Sequence, residues 1–107
     1  MTFDIVLAPE AARVLRKLAG HERALVKDTI DRHLRHEPTK ISKSRIKRLR
    51  GLRQPQYRLR VGDIRVFYDV TETAVEVLAI IPKAQAQAWL TAKGAPSPGG
   101  GVGPGKG

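Results

Sequence analysis

The stretch from Tyr57 to Val70, YRLRVGDIRVFYDV, constrains the fold more than any other part of the sequence. Two strand-like runs, Gln56 to Val61 and Ile64 to Val70, flank Gly62-Asp63, a dipeptide suited to a two-residue hairpin turn. Such a turn opposes Val61 to Ile64, Arg60 to Arg65, Leu59 to Val66, Arg58 to Phe67 and Tyr57 to Tyr68, and opposed residues share a face of the sheet. One face then carries Tyr57, Leu59, Val61, Ile64, Val66 and Tyr68, an apolar surface that needs a covering layer. The other carries Arg58, Arg60, Arg65 and Phe67, with two arginines directly opposed. That is unfavourable unless an anion or carboxylate lies between them.

The covering layer is predicted upstream. Phe3, Ile5 and Leu7 alternate with Asp4 and Val6 as in a half-buried strand over 2–7, and Ala8-Pro9 suits a helix start. Ala11, Val14, Leu15 and Leu18 recur at helical spacing over Pro9–Leu18, with Gly20 expected to end that helix. A second helix, from about Glu22 to His36, places Val26, Ile30 and Leu34 on one stripe and stops before Pro38. The two short helices should form a hairpin. Residues 38–53 read mostly as loop, with a short strand at Ile46–Leu49. A last strand, Ala74–Ile81, presents Val75, Val77, Ala79 and Ile81 on one face and Leu78 and Ile80 on the other, as a central strand does. A short helix from Lys83 to about Ala92 follows, anchored by Trp89 and Leu90. The order predicts an α+β domain: an N-terminal strand and helical hairpin packed on a small twisted, mainly antiparallel sheet. It spans residues 1–92. Residues 94–107 hold seven glycines and three prolines, so 93–107 is expected to be a disordered tail.

The chain carries 20 Lys+Arg against 10 Asp+Glu, a formal net charge of +10. Between Lys40 and Arg65 ten residues are basic and one, Asp63, is acidic, which leaves the remainder nearly neutral. A concentrated cationic segment on so short a chain points to a polyanionic partner, nucleic acid first. A lone arginine on a strand is ordinarily solvated surface, and Asp69 and Glu76 on neighbouring strands could pair with these. Three clustered arginines beside a loop with seven more cations fit phosphate better, because guanidinium forks pair bidentately with its oxygens and stay protonated.

Other chemistries find little support. Without cysteine there is no disulfide or thiolate chemistry and no zinc ribbon, and the chain suits a reducing cytosol. His33 and His36 lie three apart on one helix but lack a third ligand, and read as surface histidines. Ser42 and Ser44 have no base near them in sequence. No apolar window is long enough to span a membrane and the N-terminus lacks a positive n-region, so the expectation is a soluble, untargeted, cytoplasmic protein without membrane partners.

The segment LRGLRQPQYRLRVGDIRVFYDV, Leu49 to Val70, resembles the most recognisable part of the RelE/ParE superfamily of bacterial type II toxins. The likeness extends over about residues 2–92. It implies a ribosome-dependent mRNA endoribonuclease that inhibits translation in a stress response, needs no cofactor or metal, and is restrained by a cognate antitoxin. That antitoxin would be small and acidic with an amphipathic segment, and could form a heterotetramer with the toxin. By position, Arg58 and Arg60, with Lys47, Arg48 and Arg50, would bind RNA phosphates. Arg65 and Lys83 would be catalytic, with Arg65 stabilising charge on the scissile phosphate as the ribose 2′-hydroxyl attacks it.

The C-terminal end departs from that pattern. Active RelE-type nucleases carry a basic pair after the last strand and a tyrosine or histidine in the final helix, whereas this chain reads IPKAQAQAWL. Lys83 supplies one cation, Ala84 stands where the second often lies, and Trp89 or Leu90 stands near the tyrosine. Since arginine cannot act as a general base near neutral pH, Lys47, Lys83 or a ribosomal group is left to move the proton. Two other readings stay open: a ParE-like inhibitor of DNA gyrase without nuclease activity, and a non-toxic relative that retains only antitoxin binding.

Overall fold

The structure, a computed structural model, describes residues 2–97. Strand β1 (Asp4–Leu7) leads into helices α1 (Pro9–Lys17) and α2 (Gly20–Leu34). The strands β2 (Ile46–Arg48), β3 (Leu52–Gln54), β4 (Tyr57–Val61), β5 (Ile64–Val70) and β6 (Ala74–Pro82) follow, and then α3 (Lys83–Lys93) and the two-residue β7 (Ala95–Pro96). The main sheet has the order β1-β6-β5-β4-β2, with β1 parallel to β6 and every other pair antiparallel. The expected α+β architecture is observed.

Residue pairing in the β4–β5 hairpin is the one predicted, from Tyr57 opposite Tyr68 through Val61 opposite Ile64. Gly62 takes a φ of 57°, which the first position of a type II′ turn requires and a β-carbon would strain. Against the apolar face of this hairpin lie α1 over β6 and α2 over β4. Ala11, Leu15, Val26, Ile30 and Leu34 from the helices meet Leu59, Val61, Val66 and Tyr68 in one core. Each Leu, Ile or Val side chain among them, fully buried, contributes roughly 1.5–3 kcal/mol. The Tyr68 hydroxyl donates to the Pro38 carbonyl oxygen at 2.6 Å, tying the chain after α2 to the centre of the sheet.

Gly20 does not terminate α1. That helix stops at Lys17, and Gly20 opens α2 two residues ahead of the expected start. The sharp junction is held by Arg23, whose Nη1 donates to the carbonyls of Arg16 and Leu18 at 3.0 and 3.4 Å, satisfying the end of α1 from the next helix.

Strand β6 is internal, between β1 and β5, but it does not keep one apolar face as its sequence suggests. Tyr68 pairs with Val77 and Phe67 with Ala79, so Leu78 is the extra residue of a bulge. The bulge reverses side-chain parity. Val75, Val77 and Ile80 face α1 and α2, whereas Ala79 and Ile81 face the other side with Phe67. There α3 closes a second, smaller core with Ala86, Trp89 and Leu90.

The tail boundary also moves. Residues 93–97 belong to the folded domain: α3 runs to Lys93, β7 pairs with β3, and the Ser97 amide donates to the Gly51 carbonyl at 3.1 Å. The remainder of the expected tail, 98–107, lies outside the described residues. No helix among the described residues is long and apolar enough to cross a membrane.

Candidate functional site

The side of the sheet away from α1 and α2 carries a cationic face in two cross-strand rows. Lys47 lies opposite Arg58, and Arg58 opposite Phe67. In the next row the Arg60 amide donates to the Arg45 carbonyl, Arg60 lies opposite Arg65, and Arg65 opposite Ile81. The regular pleat alone puts these cations together, because every second residue of β2, β4 and β5 points the same way.

Their environments differ. Arg60 and Lys47 are exposed, Arg58 is half-buried, and Arg65 is buried at 7 % exposure. The Arg65 Nη1 donates to the carbonyls of Gly62 at 2.8 Å and Ile64 at 3.2 Å, which fixes the guanidinium against the hairpin turn. The Arg58 Nε is buried and has no hydrogen-bond partner among the described residues. Burial first, and then the charges of Arg65 and Arg60, hold the Arg58 pKa below the ordinary guanidinium value.

No carboxylate neutralises the face. Among the described residues the ion pairs join Arg13 to Glu10, Arg32 to Asp28, Arg35 to Asp31 and Lys40 to Glu37, all away from it. Asp69, a candidate partner by position, is turned elsewhere. Its two oxygens accept from the Gln54 side-chain amide and the Gln56 backbone N–H, each at 2.8 Å, and so pin the β3–β4 connection to β5. Among the described residues Glu76 forms no ion pair.

The remaining residues singled out in the sequence scatter. Arg48 pairs with Tyr57 on the opposite side of the sheet, and its guanidinium carbon sits 5.1 Å from the centre of that ring. Arg50 is exposed beside an apolar groove of about 830 Å³ lined by Leu49, Leu52 and Leu90. Lys83 opens α3, and its amide donates to the Asp63 carbonyl at 2.7 Å. Lys83 and Arg65 therefore flank the same Gly62-Asp63 turn. Thus Lys47, Arg58, Arg60 and Arg65 come together with Lys83 at one end, while Arg48 and Arg50 stand apart.

One component escaped the sequence reading. Helix α3 lies on the cationic side, with Trp89 stacked on Phe67 at 5.2 Å, so it walls one flank of the arginine rows. The apolar anchors were legible, but the side they choose follows from the β6 bulge. Among the described residues no three His, Cys, Asp or Glu side chains converge as metal ligands.

No family model matches the chain, and no curated protein matches it in sequence. Solved structures do. The archaeal RelE–RelB complex from Pyrococcus horikoshii OT3 aligns over 79 % of this chain and 99 % of that one, with a TM-score of 0.65 and 25 % identity. The chain has a RelE-like toxin fold. The RelB–RelE antitoxin–toxin complex from Methanococcus jannaschii aligns over 78 % of this chain and 96 % of that one, at a TM-score of 0.61 and 20 % identity. For the RelBE2 toxin–antitoxin complex from Mycobacterium tuberculosis the shares are 77 % and 99 %, with a TM-score of 0.58 and 24 % identity. All three align over at least 96 % of their own length.

Proposed function

We propose that this protein is the toxin of a toxin–antitoxin pair and cleaves mRNA on the ribosome through its cationic face. The carrying observation is Arg58, Arg60 and Arg65 gathered with Lys47 on one face, without a carboxylate partner among the described residues and with a buried Arg58 Nε awaiting an acceptor. Desolvated, unpaired guanidinium groups are costly in the free protein and are satisfied by phosphate oxygens. The solved complex of RelE with RelB that this chain resembles supports an antitoxin as a partner.

In this reading Lys47, Arg58 and Arg60 hold successive RNA phosphates. Arg65, fixed by the Gly62 and Ile64 carbonyls, is preorganised to receive negative charge as the ribose 2′-oxygen attacks the adjacent phosphorus. The bond from phosphorus to the 5′-oxygen breaks, leaving a cyclic phosphate and a 5′-hydroxyl. Proton transfer falls to Lys47, to Lys83 or to a ribosomal group, since the arginines stay charged.

Inducible expression in bacteria with mapping of RNA 5′ ends tests the reading. Cuts within translated codons that disappear in Arg65→Ala and Arg58→Ala are expected. Growth arrest with intact messages and gyrase-dependent DNA damage would instead establish the gyrase-inhibitor reading. The lack of a second basic residue directly after Lys83 and of a tyrosine or histidine in α3 is the observation that favours that second reading.

A further inference from the structure

A second cationic concavity lies at the β2 edge of the sheet, between the end of α2 and the loop that enters β2. Its volume is about 380 Å³, and His33, Glu37, Lys40, Ser42, Ser44 and Arg45 contribute to its wall. The floor is fixed from two sides. Tyr68 holds the Pro38 carbonyl, and the Ser42 Oγ accepts from the backbone N–H groups of Arg45 and Ile46, each at 3.0 Å. The Ser42 amide in turn donates to the Ile46 carbonyl at 3.0 Å, closing a tight loop whose side chains line the cavity.

Donors dominate this wall. Arg45 is half-buried, and its guanidinium makes one long bond, from Nη1 to the Arg60 carbonyl at 3.3 Å, although a guanidinium offers five N–H donors. No carboxylate among the described residues pairs with it. The Ser42 hydroxyl already accepts twice, so its own hydrogen is the group left to give, and Ser44 adds a second hydroxyl. The sole carboxylate of the wall, Glu37, is engaged by Lys40 at 3.7 Å, and Arg32 at the rim is paired with Asp28. A cavity with surplus donors, surplus positive charge and room beyond one small ion fits an acceptor-rich anion carrying a substituent.

We infer that this cavity is a phosphate-binding site, with the Arg45 guanidinium and the Ser42 and Ser44 hydroxyls as its donors. The site adjoins the arginine rows at Arg45 but does not rest on the nuclease reading. A phosphate monoester or nucleotide, or a phosphodiester of an RNA strand crossing the β2 edge, presents the same tetrahedral oxygens to these donors. Arg45 joins the two regions through the Arg60 carbonyl.

The test is amide and imidazole NMR of the full chain titrated with sodium phosphate against chloride at matched ionic strength. Saturable shifts confined to the Ser42–Ile46 amides and the His33 ring are expected, with affinity about tenfold weaker in Arg45→Ala. Arg45→Gln serves as the second variant, with spectral dispersion verifying the fold of each. A short single-stranded RNA that moves the same resonances and competes with phosphate identifies RNA as the source. Phosphate saturation without any RNA effect there identifies a free phosphate or nucleotide, and supports the site equally. The inference is overturned by shifts that grow linearly without saturating, by unchanged affinity in a folded Arg45 variant, or by a glutamate-rich peptide saturating these resonances where phosphate does not.

Discussion

The Trp89 indole lies stacked on the Phe67 ring, with centroids 5.2 Å apart and planes 9° from parallel. This contact, with Ala86 and Leu90 beside it, attaches α3, which buries no residue completely and has no side-chain cap at its N-terminus. Phe67 shares its face with Arg58 and Arg60, so the stack sets where α3 stands relative to the cations. Trp89→Ala is therefore expected to loosen α3, with a stability loss of about 2 kcal/mol. Hydrogen exchange should show faster exchange over 83–93 while the β5 and β6 amides stay protected.

The Tyr68 hydroxyl is a structural group. Burial pushes its pKa well above the ordinary phenol value, and its hydrogen bond to the Pro38 carbonyl is 2.6 Å. Tyr68→Phe keeps the ring stacked on Tyr57 but leaves that carbonyl without its donor. A loss of about 1–2 kcal/mol is expected in urea unfolding, with an unchanged slope.

Arg58 trades stability for binding. Its Nε has no partner, and Arg65 and Arg60 add like charge beside it. Arg58→Met keeps a long apolar stem and removes the unpaired donor, and is expected to raise the melting midpoint by roughly 2–5 °C. The same substitution should weaken single-stranded RNA binding and flatten its salt dependence, read by fluorescence anisotropy at two ionic strengths.

A pH effect comes from His33. Burial first, and then Arg45 and Arg32, lower its pKa below the ordinary imidazole value, with Asp28 partly opposing. The unfolded chain therefore takes up this proton at higher pH than the folded one. The stabilising contribution is complete above about pH 6.5 and is lost as the pH falls through the depressed folded value. Urea midpoints between about pH 8 and pH 5 should decline for the parent chain, and the part due to this group should vanish in His33→Gln.

The hairpin was legible because its period-2 pattern and a glycine at the turn leave one pairing that buries Leu59, Val66 and Tyr68 together. The helical stripes of Ala11 and Leu15, and of Val26, Ile30 and Leu34, were legible for the same reason: local periodicity decides which face is apolar. The short pairing of β3 with β7 was not. Strands of three and two residues are too short to show a period, and these two meet across about forty residues of chain.

For the candidate site, sequence placed Arg58, Arg60 and Arg65 on one face, since strand parity is a local property. It could not assign Arg48, which lies across the sheet on Tyr57, because the β2 register is set by contact with β4 rather than by β2 itself. Nor could it show that Arg65 is buried against two carbonyls or that Asp69 is spent on Gln54 and Gln56. Sequence by itself determined the order of the elements other than β3 and β7, the hairpin register and the concentration of charge, all fixed by residues near one another along the chain. Tertiary structure alone decided the bulge at Leu78, the side taken by α3 and the accessibility of each cation. Those depend on how distant segments compete for the same buried surface.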